Sequence, residues 1–571
     1  MSWLFAPQLR PLIVFAAAVS LVLNVAMLMP ALYMVQIFDR VLTSRSAETL
    51  VMLSALAVLA LGVAFFMDAV RACVLACAGR VLDRRLSPPA LRRVLAEAAG
   101  PSRRMDNDAL RDITKLRVFL AGSGVHALFD APWLPIYLGA VALMHPLLGV
   151  MGAAGACILL ALSVLTEKLT HRKAGDVVAH SRSTAQHAES LVRNAEAIVG
   201  MGMTAAAVAG WQRRQDELLE GQARLNETSA RLAALARVLR QLLQIAMLAV
   251  GAWLVITRDV SPGIMMAGTL LLGRALQPVE QLIGGWKALT EARGAWGRLE
   301  TRTAARAGDS SLDLPAPVGR LELDRVAFAP VPARPAFIRN VSLTLEPGES
   351  LGLVGPSASG KTTLIRLMLG IWRPSAGVVR LDGADIAQWD RDALGVHIGY
   401  LPQDVELFAG TVAANIARLS AVDCDKVIEA ARRAHAHEMI LRLPQGYDTE
   451  IGERGAVLSG GQRQRIGLAR ALYGHPRLVI LDEPNANLDA EGERALAAAL
   501  GELKASRVTV VMVGHRPAMM TALDKLAILN EGQLEACGPA DVILSRLRSV
   551  ARNARSGQPK ESVRDAVEVR A

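Results

Sequence analysis

Long apolar runs alternate with long polar runs through the first half of the chain. A helix that crosses a bilayer core needs about 20 apolar residues. Four runs meet or nearly meet this length and two weaker runs follow them; the six cover residues 11–34, 50–67, 127–144, 147–165, 238–256 and 264–286. The pattern therefore predicts an all-α membrane domain of six spanning helices, with both chain ends on the same side of the bilayer.

Basic residues mark the cytoplasmic side. The polar segments 71–117 and 168–240 are both rich in Arg and Lys, whereas the turn at His145 and Pro146 has none. By the positive-inside rule the two long basic segments, and with them both termini, face the cytoplasm. The short loop that carries Arg40 and Arg45 weakly opposes this assignment.

The two long cytoplasmic segments are predicted to continue the helices that enter them. Leucines at positions 218, 225, 232 and 235 keep a helical spacing in the second segment. Helical extensions of this length could act as levers that touch a cytoplasmic domain. The alternative is a solvated linker.

Two ionisable residues fall in the sixth apolar run, Arg274 and Glu280. Charges inside a membrane are costly and usually face water or a partner. One hypothesis is that they line a translocation path. The other is that this helix already runs into the cytoplasm and both side chains are solvated.

The composition changes after the sixth run. Residues 301–319 are small, polar and proline-containing, which is typical of a linker. From residue 320 onward strand and helix patterns alternate, and from 549 the chain is polar and charged. We therefore expect a membrane domain over 1–300, a linker over 301–319, an α/β domain over 320–548 and a disordered tail over 549–571.

Bulk composition agrees with a multi-pass membrane protein. The chain is 52% hydrophobic and carries a net charge of +10. The basic residues lie in loops between apolar runs and are not interleaved with aromatic residues, so we expect no nucleic-acid partner. The five cysteines have no zinc-site spacing. The first apolar run is too long for a secretory signal and has no cleavage motif after it.

A glycine-rich loop follows an apolar strand and opens a helix in the α/β domain. It matches the phosphate-binding pattern G-x-x-x-x-G-K-[ST] in the strand–loop–helix context that the pattern requires. Backbone N–H groups of such a loop surround phosphate oxygens, the lysine reaches the β- and γ-phosphates, and the hydroxyl of the last residue meets Mg²⁺. The predicted ATP-binding residues here are Gly355, Pro356, Ser357, Ala358, Ser359, Gly360, Lys361, Thr362 and Thr363.

Two further strands end in residues suited to ATP hydrolysis. One ends at Asp482 and Glu483, and the other is followed by His515. We predict that Asp482 holds Mg²⁺ together with Thr362, that Glu483 orients or deprotonates the attacking water, and that His515 contacts the γ-phosphate.

The segment Leu458-Ser-Gly-Gly-Gln462 resembles the signature motif of ABC ATPases. Gln403 and Asp489 resemble residues of the Q-loop and D-loop of that family. The resemblance implies that Ser459, Gly460, Gly461 and Gln462 of one subunit close over ATP held by the phosphate loop of a second, so that a homodimer has two competent sites. It also implies that Gln403 contributes to catalysis and to Mg²⁺ binding.

One position departs from the family pattern. Where many relatives place a tyrosine that stacks on adenine, this chain has Pro330. Phe337 could replace the tyrosine, or stacking could be weak, and the choice between ATP and GTP stays open.

The membrane half resembles the bacterial type I secretion exporters for proteases and lipases. The resemblance rests on three segments, 35–44, 129–137 and 273–286, and on the run Asp482-Glu-Pro-Asn-Ala-Asn-Leu-Asp489. It implies a multi-pass protein of the bacterial inner membrane whose ATPase domain lies in the cytoplasm. It also implies a periplasmic membrane-fusion adaptor, an outer-membrane channel and an unfolded polypeptide substrate with a C-terminal secretion signal. Because the first span starts near residue 11, no N-terminal peptidase-like domain is expected.

Three alternatives share the ATPase motifs: an exporter of lipids or small molecules, a membrane-tethered ATPase that transports nothing, and an importer. Six full spans and an intact Glu483 argue against the second. Importers usually keep their membrane and ATPase parts on separate chains, which argues against the third. The predicted fold class is a six-helix transmembrane ABC exporter domain joined to an α/β P-loop ATPase domain.

Overall fold

The structure, a computed structural model, describes residues 9–101, 108–304, 314–330, 336–452, 455–514 and 516–546. The chain divides into two compact units. The first comprises Met1–Ala96 and Met105–Arg306, and the second comprises Glu97–Arg104 and Ala307–Ala571. The predicted tail over 549–571 and the predicted catalytic residue His515 lie outside the described residues.

The first unit is all α-helical. Short π-helical and 3₁₀ turns, at Ile37–Val41 and Ala131–Trp133, continue two of its helices. Its helices are α1 (Arg10–Ala26), α2 (Met29–Gln36), α3 (Leu42–Ser44), α4 (Ala47–Ala99), α5 (Asp108–Ala121), α6 (Ser123–Asp130), α7 (Leu134–Met144), α8 (Pro146–Arg193), α9 (Ala195–Gly200), α10 (Thr204–Ile256) and α11 (Pro262–Ala304).

Within the described residues, five helical segments are long and apolar enough to cross a membrane: Arg10–Ser44, Ala47–Ala99, Gly124–Met144, Pro146–Arg193 and Thr204–Ile256. Helix α11 covers the sixth predicted span as one continuous helix, but it is not one of these five segments. Large apolar side chains point outward from these segments: Val51 is 67% exposed, Phe65 77% and Leu143 91%. Such a surface is stable only in contact with lipid or another apolar partner.

In the described residues the two long basic segments are largely helical, and the leucine spacing predicts this for the second. Helix α4 is 53 residues long, α8 is 48 and α10 is 53. A span needs only about 20 of these residues, so each helix continues well beyond a bilayer core. The prediction of helical extensions is confirmed.

A buried arginine connects the helices of the apolar part of this unit. Arg71 in α4 is 4% exposed. Its guanidinium donates to Asp130 Oδ1 at 2.7 Å and to Asp68 Oδ1 at 2.8 Å. Asn24 in α1 donates to the same Asp130 oxygen at 2.9 Å, and the Tyr137 hydroxyl donates to the Asn24 carbonyl at 2.9 Å. The network ties α1, α4, α6 and α7 together, and it uses Asp130 from one of the segments that resemble secretion exporters.

The second unit is α/β, as the sequence predicts. Its strands are β1 (Leu321–Phe328), β2 (Ile338–Leu345), β3 (Ser350–Val354), β4 (Ala376–Leu381), β5 (Ala384–Asp385), β6 (Ile398–Leu401), β7 (Leu478–Asp482), β8 (Thr509–Val513), β9 (Lys525–Asn530) and β10 (Gln533–Pro539). Its helices are α12 (Lys361–Met368), α13 (Arg391–His397), α14 (Val412–Ile416), α15 (Cys424–Arg433), α16 (His437–Leu441), α17 (Gly460–Leu472), α18 (Ala490–Ala505) and α19 (Pro517–Met520).

These strands form two sheets. One has four strands in the order β2-β1-β4-β5, all antiparallel. The other has six strands in the order β10-β9-β3-β8-β7-β6, with only β10 antiparallel to its neighbour. Strands β7 and β8 are buried along their whole length, as expected when helices cover both faces of a parallel sheet.

We expect Asp130→Ala to lower the stability of the membrane unit far more than Asp68→Ala. Both carboxylates bind Arg71, but the Asp130 side chain is 20% exposed and that of Asp68 is 56% exposed. Removing one partner of a buried pair costs about 3 kcal/mol or more, whereas an exposed pair contributes about 1 kcal/mol or less. Thermal unfolding midpoints of the full chain in detergent would measure both. Equal midpoints for the two variants would contradict the prediction.

Candidate nucleotide-binding site

The predicted site residues gather at one edge of the six-stranded sheet. Strands β3, β8, β7 and β6 are adjacent and parallel, so their carboxyl ends lie side by side. The phosphate loop follows β3, Asp482 ends β7, and the segment with Gln403 follows β6. Ligands of open parallel sheets bind outside the carboxyl ends of the strands. The fold therefore brings together three segments that are widely separated in sequence.

The glycines of the phosphate loop are required by close packing and by backbone conformation. A Cβ on Gly355 would lie 2.1 Å from the Leu529 carbonyl oxygen. Gly360 has φ +105°, in the region that favours glycine, and directly precedes α12. Ala358 also has positive φ, +67°. This backbone leaves the loop open toward a ligand and places the helix N-terminus at its end, where an anion is stabilised.

Lys361 is buried within the loop. It is 7% exposed, and its Nζ donates to the carbonyl oxygens of Gly355 at 2.8 Å and Pro356 at 2.9 Å. Burial lowers the pKa of Lys361, while the nearby charges of Glu483 and Asp482 oppose that shift. The ammonium group is therefore held at the centre of the loop, between the backbone and two carboxylates.

Asp482 has the features expected of a metal ligand. It is 1% exposed, and it forms a hydrogen bond with Thr362, which is also predicted to hold Mg²⁺. Its Oδ2 is buried without a hydrogen-bond partner in the described part of the chain, as is the Ser359 hydroxyl in the phosphate loop. Burial raises the pKa of Asp482. Carboxylate and hydroxyl oxygens suit Mg²⁺, so the residues present fit this ion.

Glu483 leaves the strand in an unusual backbone conformation. Its φ is +49°, which is rare for a residue with a side chain, and its N–H donates to the Val513 carbonyl at 3.1 Å. Its Oε2 accepts a hydrogen bond of 2.9 Å from Gln403 Nε2. The left-handed conformation turns this carboxylate away from the strand alternation that buries Asp482. A strained residue next to a buried metal ligand is typical of a catalytic position.

The signature segment forms the start of α17. The Ser459 hydroxyl accepts from the Gln462 N–H at 3.2 Å, and the Gln462 side chain accepts from the Ser459 N–H at 2.8 Å. This capping box fixes the helix N-terminus. Gly460 and Gly461 pack against Asn487, which a Cβ on Gly461 would approach to 3.1 Å. Among the described residues, no hydrogen bond connects Ser459–Gln462 with the phosphate loop of the same chain.

Phe337 lies beside the phosphate loop. Its ring reaches to 3.4 Å from the position that a Cβ on Gly360 would occupy, and its side chain is 42% exposed. Its N–H donates to the Phe328 carbonyl at 2.7 Å, which fixes its backbone. The aromatic residue named in place of the missing tyrosine is thus positioned next to the phosphate loop.

Sequence reasoning did not single out Gln464. This side chain is 2% exposed, and its Nε2 donates at 3.1 Å to the carbonyl of Pro484, the residue after Glu483. It links the signature helix to the backbone that follows Glu483. The sequence signal that could have identified this residue is a glutamine placed among the apolar positions of α17.

Arg274 and Glu280 do not pair with each other. Arg274 donates to Gln277 at 3.3 Å, while Glu280 forms an ion pair with Arg240 of α10 at 2.8 Å. Arg274 is exposed and Glu280 is half-buried. Their proposed role in a translocation path stays a hypothesis.

Comparison with known proteins places this fold and site in a class. The family model for ABC transporters matches residues 338–486, which contain the phosphate loop, the signature and both carboxylates. The structure of a bacterial Atm1-family ABC exporter with ATP bound matches with a TM-score of 0.83 and 21% identity, over 97% of this chain and 99% of that chain. The predicted fold class, a membrane ABC exporter with an α/β ATPase domain, is confirmed.

Two relatives define the family more closely. The type I secretion system ATP-binding protein PrsD of Rhizobium meliloti is 43% identical, over 92% of this chain and 91% of the relative. The cyclolysin secretion/processing ATP-binding protein CyaB of Bordetella pertussis is 34% identical, over 95% of this chain and 78% of the relative. The chain belongs to the family of type I secretion ATP-binding proteins, and it is an ATP hydrolase of the ABC exporter class.

We expect Glu483→Gln to bind ATP and to hydrolyse it about 100-fold more slowly or worse, because the amide cannot accept the proton of the attacking water. Phosphate release and retention of radiolabelled ATP by the full chain would measure the two effects. Glu491→Gln is the matched control, since its side chain is 58% exposed and pairs with Arg465 at 3.2 Å. Hydrolysis at the wild-type rate by Glu483→Gln would exclude the assigned role.

We expect Asp482→Asn to abolish hydrolysis yet to raise the thermal midpoint of the nucleotide-free chain at pH 8. Because the pKa of Asp482 is raised, its charged form destabilises the fold above that pKa. This free-energy penalty diminishes as pH falls, and it is absent below 3.8, the pKa of the carboxyl group in the unfolded chain. The midpoint difference between variant and wild type should therefore narrow as pH is lowered from 8. A lower midpoint for the variant at pH 8 would contradict this account.

Proposed function

We propose that this chain is the inner-membrane ATPase of a type I secretion system and exports an unfolded polypeptide that carries a C-terminal secretion signal. The observation that carries the proposal is the 43% identity with a type I secretion protein along 92% of the chain. Such a match includes the membrane unit, and the membrane unit separates polypeptide exporters from lipid or drug exporters.

The working form is a homodimer. Ser459 lies at an exposed helix start, and among the described residues its hydrogen bonds are local. Its exposed position leaves it accessible to the phosphate loop of another copy. Apolar side chains are also exposed where α8, α9 and α10 meet: Val192 is 74% exposed, Val199 69% and Met201 67%. This turn follows cytoplasmic helical extensions, where lipid does not cover it. A second copy of the chain would cover it.

The site residues then have defined roles in the cycle. ATP binds with its phosphates in the loop around Lys361 and is closed over by Ser459 of the second copy. Closure is favourable because ATP contacts both copies only in the closed state. Thr362 and Asp482, with Gln403, would hold Mg²⁺, which would supply charge neutralisation at the phosphates. Glu483 accepts the proton of the attacking water while Gln403 holds its carboxylate, His515 contacts the γ-phosphate, and hydrolysis reopens the dimer.

The domain plan follows from this function. Residues 1–300 form the membrane domain, 301–319 the linker, 320–548 the cytoplasmic ATPase and 549–571 a tail. A polypeptide that leaves the inner membrane must still cross the periplasm and the outer membrane. The chain therefore works with a periplasmic membrane-fusion adaptor and an outer-membrane channel, and its similarity to a type I secretion system ATP-binding protein supports this.

We expect a strain with Lys361→Ala at the chromosomal locus to lose the same secreted polypeptides as a deletion strain, because a phosphate loop without its lysine binds ATP poorly. Mass spectrometry of the culture medium would compare the strains. Lys426→Ala is the control, since that 59%-exposed lysine pairs with Asp423 on the surface of the same domain. An unchanged medium together with an altered membrane lipid composition would instead identify a lipid exporter.

A further inference from the structure

The chain passes between the two compact units at three points. It leaves the first unit after Ala96, returns at Met105, and enters the second unit for good after Arg306. Helices α4, α5 and α11 are the elements next to these points, since they end at Ala99, begin at Asp108 and end at Ala304. These three helices therefore provide the covalent connections between the two units.

Helix α5 is joined to α11 by a buried ion pair. The Arg298 guanidinium donates through Nε to Asp112 Oδ2 and through Nη2 to Asp112 Oδ1, both at 2.7 Å. The Asp112 side chain is 3% exposed and that of Arg298 is 37% exposed. Two parallel hydrogen bonds fix both the distance and the angle between the groups, which a single contact cannot do.

Helix α5 is also joined to α4. Arg117 donates to Asp83 at 2.6 Å, and the backbones are close, because a Cβ on Gly79 would lie 3.3 Å from Arg117 Cγ. On its other side α5 contacts α8 through two pairs. Arg111–Glu189 is 3.7 Å long with both side chains more than half exposed, and Asp108–Arg182 is 3.0 Å long with side chains 19% and 31% exposed. Among these four charged contacts of α5, Asp112 is the most buried carboxylate, at 3% exposed.

Burial makes the Asp112–Arg298 contact costly to break. A buried carboxylate that loses its guanidinium partner is left with Lys115 of its own helix, whose Nζ lies 3.9 Å from Oδ1, so a state in which α5 and α11 separate is disfavoured. An exposed pair such as Arg111–Glu189 can exchange its partner for water at little cost. The buried pair thus forces α5 and α11 to move as one body, whereas the exposed pair does not.

We propose that the Asp112–Arg298 pair is a transmission clamp that couples ATP hydrolysis to export. It holds the helix that returns from the second unit against the helix that enters it, so that both convey the same displacement to the membrane helices. Asp112 and Arg298 are positioning residues, and neither belongs to the nucleotide site. This inference rests on the proposed export function.

The test compares export with hydrolysis for Asp112→Asn, Arg298→Lys and the control Glu189→Gln. Asp112→Asn removes the carboxylate charge that the guanidinium binds, and Arg298→Lys keeps the positive charge but cannot form two parallel hydrogen bonds. Each allele is placed at the chromosomal locus, and the polypeptides in the medium are quantified against the wild-type and deletion strains. Hydrolysis is measured on the same full-length proteins after purification into lipid nanodiscs.

With the clamp broken, secretion should fall about fivefold or more, the range of a typical coupling free energy, while ATP hydrolysis stays near the wild-type rate. Glu189→Gln should secrete normally. If Asp112→Asn does not accumulate in the membrane, the secretion and ATP hydrolysis of Arg298→Lys provide the test. Normal secretion by the clamp variants, or a loss of hydrolysis in proportion to secretion, would overturn the clamp. If the wild-type allele itself restores no polypeptide, the export function fails instead.

Discussion

A charge buried in protein must have a partner, and this constraint organises both units of the molecule. At the end of β7 one oxygen of Asp482 is buried and without a hydrogen-bond partner among the described residues, near the buried Lys361 of the phosphate loop. An unpaired buried carboxylate oxygen is costly, and a bound Mg²⁺ removes the cost. Asp482, the predicted metal ligand, therefore has a buried oxygen that a bound Mg²⁺ would satisfy.

The membrane unit satisfies the same constraint internally. Arg71 is surrounded by Asp68, Asp130 and Ser20, and Asp112 is bound by Arg298. Each charge has a counter-charge on the same or a neighbouring helix, so these groups fix helix positions instead of awaiting a ligand. The ATPase unit thus has a carboxylate oxygen that lacks a hydrogen-bond partner among the described residues, as a ligand site requires. The ion pairs of the membrane unit are satisfied, as contacts that hold helices together require.

The sequence predicted the fold class because both halves carry strong local signals. Apolar runs of bilayer length predict spanning helices whatever their neighbours, and leucine spacing in 218–235 predicted the continuous helix α10. The sixth span was the least certain, since α11 combines apolar turns with Arg274 and Glu280, and composition alone does not mark it as a membrane helix. The phosphate loop, Asp482 and Glu483 could be named because each follows a strand in a fixed chemical pattern.

What the sequence determined by itself is therefore local: which segments are helices or strands, and which phosphate-loop and carboxylate residues stand at the ends of the strands. Only the tertiary structure decided which of them meet. Strands β3, β7 and β6 are neighbours through a sheet order that differs from chain order, and this order brings Gln403 to Glu483. The partners of Asp112 and Arg71 are likewise distant in sequence. Such pairings depend on packing across the whole unit, whereas spacing along the chain records only a residue's nearest neighbours.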